Sequence, residues 1–87
     1  MAATIALSVR DVSSGRVRDV LVQGSPDQTM AELSTRLAEF LGLDAREGAY
    51  ALRVERTGEH LRPTATLARA DLLEGDTLLL TRSRHPR

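Results

Sequence analysis

TMAELSTRLAEFL, residues Thr29–Leu41, is the only long segment of the chain with a clear helical period. Met30, Leu33, Leu37, Phe40 and Leu41 recur near i, i+3, i+7, i+10 and i+11, which predicts one apolar side of a helix. Glu32, Thr35, Arg36 and Glu39 fall on the other side. Thr29 followed three residues later by Glu32 has the spacing of a capping box, in which each side chain takes the other residue's unpaired backbone N–H. Gly42 stands where a left-handed residue ends a helix. Glu32 and Arg36 are i,i+4 with the acid first, a pairing worth about 0.3 kcal/mol. A helix this short is marginal alone in water, so its apolar side must lie on something.

The flanking sequence supplies strands. Before the helix, Thr4–Arg10 alternates strictly, with Ile5, Leu7 and Val9 on one side. The segment 11–15 carries turn residues, with Gly15 free to take positive φ. Arg16–Val22 resumes an extended pattern with Val20 and Val22 inward and Leu21 outward; Val17 fits this phase poorly. The two runs predict an antiparallel hairpin. Pro26 then breaks the strand pattern. After the helix, 43–48 reads as a polar connection, with Leu43 tucked under the helix end. Tyr50–Arg56 alternates, with Tyr50, Leu52 and Val54 inward. His60-Leu61-Arg62 reads as a very short strand stopped by Pro63. Thr66 is placed to cap a single turn over Leu67–Ala70, with Leu67 and Leu72 packing inward. Glu74-Gly75-Asp76 is a turn, and Thr77–Thr81 is a last strand with Leu78 and Leu80 inward and Leu79 outward.

The order is hairpin, helix, strand, short strand, helical turn, strand. It predicts an α+β domain: a mixed sheet of four to five strands with the helix Thr29–Leu41 across one face. The last strand is the most continuously apolar and suits the sheet centre. The chain of 87 residues makes one domain over 1–82, with 83–87 as a tail or the start of a linker.

Composition narrows the function classes. Twelve basic and twelve acidic residues cancel, which argues against a nucleic-acid surface or an anionic membrane as partner. The absence of cysteine removes disulfides and thiolate metal sites. No apolar run approaches the roughly 20 residues of a membrane span, and MAATIALSV lacks the charged start of a signal peptide, so a cytoplasmic or cytoplasm-facing location is expected. There is no lysine, and all twelve basic residues are arginine, a bias expected of a GC-rich genome.

The ordered set of Leu52 and Val54, Gly58 and Leu61, Thr66-Leu67, Leu72 and Gly75-Asp76-Thr77-Leu78-Leu79-Leu80 resembles the β-grasp fold in its ubiquitin-like form. LRPTATLARADLLEGDTLLL carries most of the likeness, which spans Thr4–Arg82. It implies that the first and last strands lie parallel at the sheet centre. Within that class, the hairpin and DVLVQGSPDQTMAELSTRLAEFLG resemble the bacterial YukD-like group, associated with WXG100, or type VII (ESX), secretion. Members of that group are small free proteins or N-terminal domains of a membrane translocase subunit. The arginine-rich composition would suit an actinobacterial source. The resemblance implies a protein partner in the secretion machinery. β-Grasp modifiers and sulfur carriers end in a flexible Gly-Gly; this sequence has no Gly-Gly pair and reads Ser83-Arg84-His85-Pro86-Arg87 at its end, which disfavours that role.

No catalytic constellation is legible. His60 and His85 each lack a second ligand at metal spacing. No serine has a His–Asp partner in any motif, and the six glycines all sit at element ends rather than in a phosphate loop. A non-catalytic module without cofactor is therefore expected. What remains is surface: Leu21, Ala51, Arg53 and Leu79 should project from the sheet face opposite the helix, and Leu21, Arg53 and Leu79 are the candidate protein-binding residues. The basic residues Arg82, Arg84 and Arg87 read as a solvated terminus.

Overall fold

The computed structural model describes residues 3–43 and 50–82. The connection expected at 43–48, beyond Leu43, and the tail expected at 83–87 lie outside the described residues. The elements are β1 (Ala3–Asp11), β2 (Val17–Gly24), α1 (Met30–Phe40), β3 (Tyr50–Val54), β4 (His60–Leu61), a 3-10 turn at Leu67–Arg69, and β5 (Thr77–Arg82). They build a five-stranded sheet in the order β2-β1-β5-β3-β4. β1 and β5 are parallel and central, with Val9 opposite Leu78. The other pairings, β1 with β2, β3 with β5 and β3 with β4, are antiparallel.

Both ends of α1 are fixed by local chemistry. Thr29 is the N-cap: the Glu32 backbone N–H donates to its Oγ1 at 3.2 Å, and the Thr29 N–H donates to Glu32 Oε1 at 3.0 Å. The next two N–H groups, of Met30 and Ala31, donate to the carbonyls of Ala65 and Pro63 at 2.8 and 3.0 Å. The first-turn donors are thus all taken by the chain itself. At the far end Gly42, at φ 78°, lets its own N–H reach the Glu39 carbonyl and that of Leu43 reach the Ala38 carbonyl, a Schellman closure. Thr29 is the N-cap, as its capping-box spacing predicts, and Leu41, placed inside the helix by the period, is the C-cap. We expect Glu32→Ala to cost about 0.5–1 kcal/mol, one half of a capping box, read as a lowered urea midpoint with unchanged slope.

The core lies between α1 and one sheet face. Leu7, Val9, Val22, Leu52, Val54, Leu78 and Leu80 meet Met30, Leu33, Leu37, Ala38 and Leu41 there. Leu43, Tyr50, Leu67 and Leu72 pack around them partly buried, as their phases predict. Four local readings need correction. Phe40 does not join the buried stripe: it is 51% exposed, and Ser34 and Ala38 are buried instead. The buried stripe runs through Leu33, Ser34, Leu37, Ala38 and Leu41, and is therefore centred away from Phe40. The Ser34 hydroxyl escapes the cost of burial by donating to the Ala31 carbonyl at 2.9 Å. Arg18, reaching round from β2, places its guanidinium 5.2 Å from the centre of the exposed Phe40 ring. Second, Arg36 does not pair with Glu32, which is committed to the cap; it donates to the Gln23 carbonyl at 3.3 Å. Third, Thr66 occupies a cap position but its side chain makes no capping hydrogen bond, and the turn it precedes is 3-10. Fourth, β3 stops at Val54, because the Gly58 N–H closes a tight turn on the Val54 carbonyl at 2.7 Å.

Candidate docking face

On the face away from α1, register places side chains in rows across the sheet. One row reads Val17, Arg10, Leu79, Arg53, His60, from β2 through β1, β5 and β3 to β4. Arg53 and Leu79 are therefore direct cross-strand neighbours, as the strand phases imply. Leu79 is outward-facing but only 8% exposed. This corrects the expectation of a projecting leucine. Arg10 and Arg53 stand directly opposite it on the two neighbouring strands, a placement in which long side chains can shield apolar surface and keep their charged heads in water.

Leu21 does not belong to this group. It lies opposite Ala6, four residues along β1 from Arg10, which separates it from the Leu79 row by roughly 13 Å. It is 64% exposed and sits beside the sheet edge rather than over the sheet centre. The candidate patch thus divides: Arg53 and Leu79 are brought together, and Leu21 is set apart.

Two residues join the site that sequence reasoning left in or near a turn. Val12 and Val17, each about half exposed, line a shallow depression together with Arg10, Gly15, Arg53 and Leu79. The signal was present in Val17, whose phase is opposite to that of Val20 and Val22; it points to the outer face.

The charges in this depression are not equivalent. Arg10 faces Glu55 at 3.4 Å and is neutralised. Arg53 is exposed, and it has no hydrogen-bond or ion-pair partner among the described residues. His60 is its cross-strand neighbour on the other side from Leu79. The acids of this face lie one row away: Asp19 holds the Ser8 hydroxyl at 2.7 Å, and Glu55 is engaged with Arg10. The result is an uncompensated guanidinium at the rim of an apolar hollow. Among the described residues no group of three or more His, Asp or Glu side chains is placed to hold a metal ion.

Two buried carboxylates anchor the ends of the central strands. Asp76 takes a two-pronged contact from Arg56, at 2.9 and 3.2 Å, and the Leu73 N–H at 2.9 Å. The Arg56 contact, then the Leu73 N–H, hold its carboxyl below the usual range against the opposing effect of burial. Asp11 accepts from the Ser13 N–H and from the hydroxyls of Ser13 and Ser14. Burial pushes its carboxyl up, but the hydrogen bonds from Ser14 and Ser13 and the charge of Arg16 together outweigh that and leave it lowered.

No protein-family model and no protein of curated function matches the sequence. Solved structures do. One similar chain belongs to the toluene 4-monooxygenase HD complex with 4-bromobenzoate, at TM-score 0.74 and 17% identity, over 93% of this chain and 100% of that one. A de novo designed protein based on ubiquitin matches at TM-score 0.68 and 27% identity, over 97% of this chain and 96% of that one. Caldiarchaeum subterraneum ubiquitin matches at TM-score 0.67 and 17% identity, over 95% of this chain and 98% of that one. The fold is the ubiquitin-like β-grasp. None of these matches supports the resemblance to YukD-like proteins. No helix among the described residues is long and apolar enough to cross a membrane.

Proposed function

We propose that this ubiquitin-like domain is a non-catalytic protein-interaction module that docks a partner on the sheet face opposite α1. The observation that carries the reading is Arg53: an exposed guanidinium without an acceptor among the described residues, set beside Leu79 at the rim of the hollow lined by Val12 and Val17. Arginine beside a small apolar pocket is a common anchor at interfaces, because its planar fork donates two parallel N–H bonds to a carboxylate, or a single one to a carbonyl. The occurrence of a similar fold as one chain of an enzyme complex supports a role in association. The YukD-like features of the hairpin and helix supply the partner to try first, a cytoplasmic component of a type VII secretion apparatus. Such a component would meet the domain in the cytoplasm or at the cytoplasmic membrane face, with this domain as a free protein or part of a translocase subunit.

Arg53→Glu is expected to weaken that complex by about 2 kcal/mol or more, through a charge mismatch at a desolvated contact. Its circular dichroism should match the parent and its urea midpoint should lie close to the parent's, because the Arg53 side chain is exposed and makes no hydrogen bond or ion pair among the described residues. Glu39→Ala, on the outer side of α1, should leave affinity unchanged. Chemical-shift perturbations clustered on Glu32, Arg36 and Glu39 would move the docking site to the helix and refute the sheet-face reading. If no component of the apparatus binds, the secretion assignment falls.

A further inference from the structure

The geometry points to a second interface, distinct from the Arg53 face: we infer that β2 pairs antiparallel with β2 of a second copy of this chain about a two-fold axis at Leu21, so that one sheet runs through both copies. Backbone direction along β2 follows from its contacts. The Arg16 carbonyl accepts from the Asp11 N–H, on the β1 side, whereas the Gln23 carbonyl is reached by Arg36 from the helix. Since N–H and C=O of alternate residues point the same way, Val17, Asp19, Leu21 and Gln23 direct theirs away from β1. The β1 partners agree: Ala6 and Ser8 turn their backbone groups toward 74–76, leaving Ile5, Leu7 and Val9 for β2. β2 is an edge strand of eight residues, and among the described residues nothing but Arg36 occupies its outer backbone groups.

That edge carries charge at Arg18 and Asp19 but lacks other common protections. It holds no proline and no lysine, and Leu21 on it is 64% exposed. The sequence along it, Asp19-Val20-Leu21-Val22-Gln23, is self-complementary when reversed about Leu21. Antiparallel pairing on that centre sets Leu21 against Leu21, Val20 against Val22, and Asp19 against Gln23. Leu21 falls at a position that exchanges both backbone hydrogen bonds with its copy, as do the Asp19 and Gln23 pairs, where the Gln23 carbonyl takes the Asp19 N–H as a second donor beside Arg36. Asp19 uses Oδ1 for Ser8, which leaves Oδ2 for the Gln23 amide of the other copy. Registers centred one residue earlier set Asp19 against Leu21 and Arg18 against Val22, each a charge facing an apolar side chain. The groove between β2 and α1, apolar except for Arg36 and lined also by Val20, Leu21, Val22, Leu33 and Phe40, would be closed along its open side by the second copy.

The test is sedimentation velocity of the full chain from micromolar to millimolar concentration, with hydrogen exchange read by NMR at both ends. The parent should pass from monomer to dimer. The amides of Asp19, Leu21 and Gln23 should gain protection as it does, while those of Val20 and Val22 are protected throughout. Leu21→Lys sets like charges opposite each other at the two-fold and should weaken dimerisation by about tenfold or more. Because Leu21 is exposed in the monomer, the fold should be unchanged. An equimolar mixture of Leu21→Lys and Leu21→Glu chains should restore the dimer. A parent that is monomeric at millimolar concentration overturns the inference, as does a dimer indifferent to Leu21→Lys, or a mixture that stays monomeric.

Discussion

Leu37→Ala should lower the stability of the domain by about 2–5 kcal/mol. Leu37 sits mid-helix and buried, with Leu33 before it and Leu41 after it, over Leu52, Val54, Leu78 and Leu80 of the sheet. Removing its isobutyl group leaves a cavity that neither the capped helix nor the paired strands can collapse to fill. In a domain this small the loss is a large part of the whole folding free energy. Phe40→Ala is the paired control. Its ring is half exposed, and its specific contact is the guanidinium of Arg18. It should cost about 1 kcal/mol or less, as exposed cation–π pairs do. Urea titrations with equal slopes and these two midpoints would fix the phase of the helix. A reversal, with Phe40→Ala the more damaging, would place the wrong side of α1 on the sheet.

Asp76→Ala should cost about 1–3 kcal/mol at neutral pH, because it strands the Leu73 N–H and releases Arg56. Arg56 is half solvated and rehydrates readily, so most of the cost belongs to the buried end of the contact. The same carboxylate makes stability depend on pH. Its folded value is depressed below 3.8, so the folded chain releases this proton more readily than the unfolded chain does. The stabilisation is complete above the unfolded value and is lost as pH falls through it toward the folded one. Asp11, depressed in the same direction, adds to the loss in the same window. Thermal midpoints of the parent should therefore fall steeply below about pH 4. In Asp76→Ala the acid limb should be shallower. An equally steep limb in the variant would mean that other carboxylates govern acid unfolding.

How much of this was legible depended on whether the cause was local. The capping box at Thr29 and Glu32, the stop at Gly42 and the alternation of Tyr50, Leu52 and Val54 are set by neighbours within a few residues, and all stand in the structure. The Arg56–Asp76 contact was invisible for the opposite reason. Read along the chain, Asp76 is a turn residue and Arg56 the end of a strand. They meet because β3 and β5 pair with Val54 opposite Leu78, and the same register continued by two residues brings 56 to 76. The setting of Leu79 has the same origin: its cross-strand neighbours, Arg10 and Arg53, come from two different strands. Of the candidate patch, strand parity placed each side chain on its face correctly, but parity carries no information on position along the strand, and so it could not separate Leu21 from Arg53.

The parallel contact between β1 and β5 at the sheet centre ties the first strand of this domain to its last. A ribosome releases the hairpin, the helix and β3 with the slot between β1 and β3 still vacant. The apolar faces of Leu7, Val9, Leu52 and Val54 then wait for Leu78 and Leu80 to close them. Closure spans most of the chain, so its entropy is lost before the contacts that offset it form. A nascent chain of this kind stays aggregation-prone until residue 82 clears the exit tunnel. Slow codons inside 77–82 would prolong that interval, whereas slow codons in the hairpin would be nearly neutral.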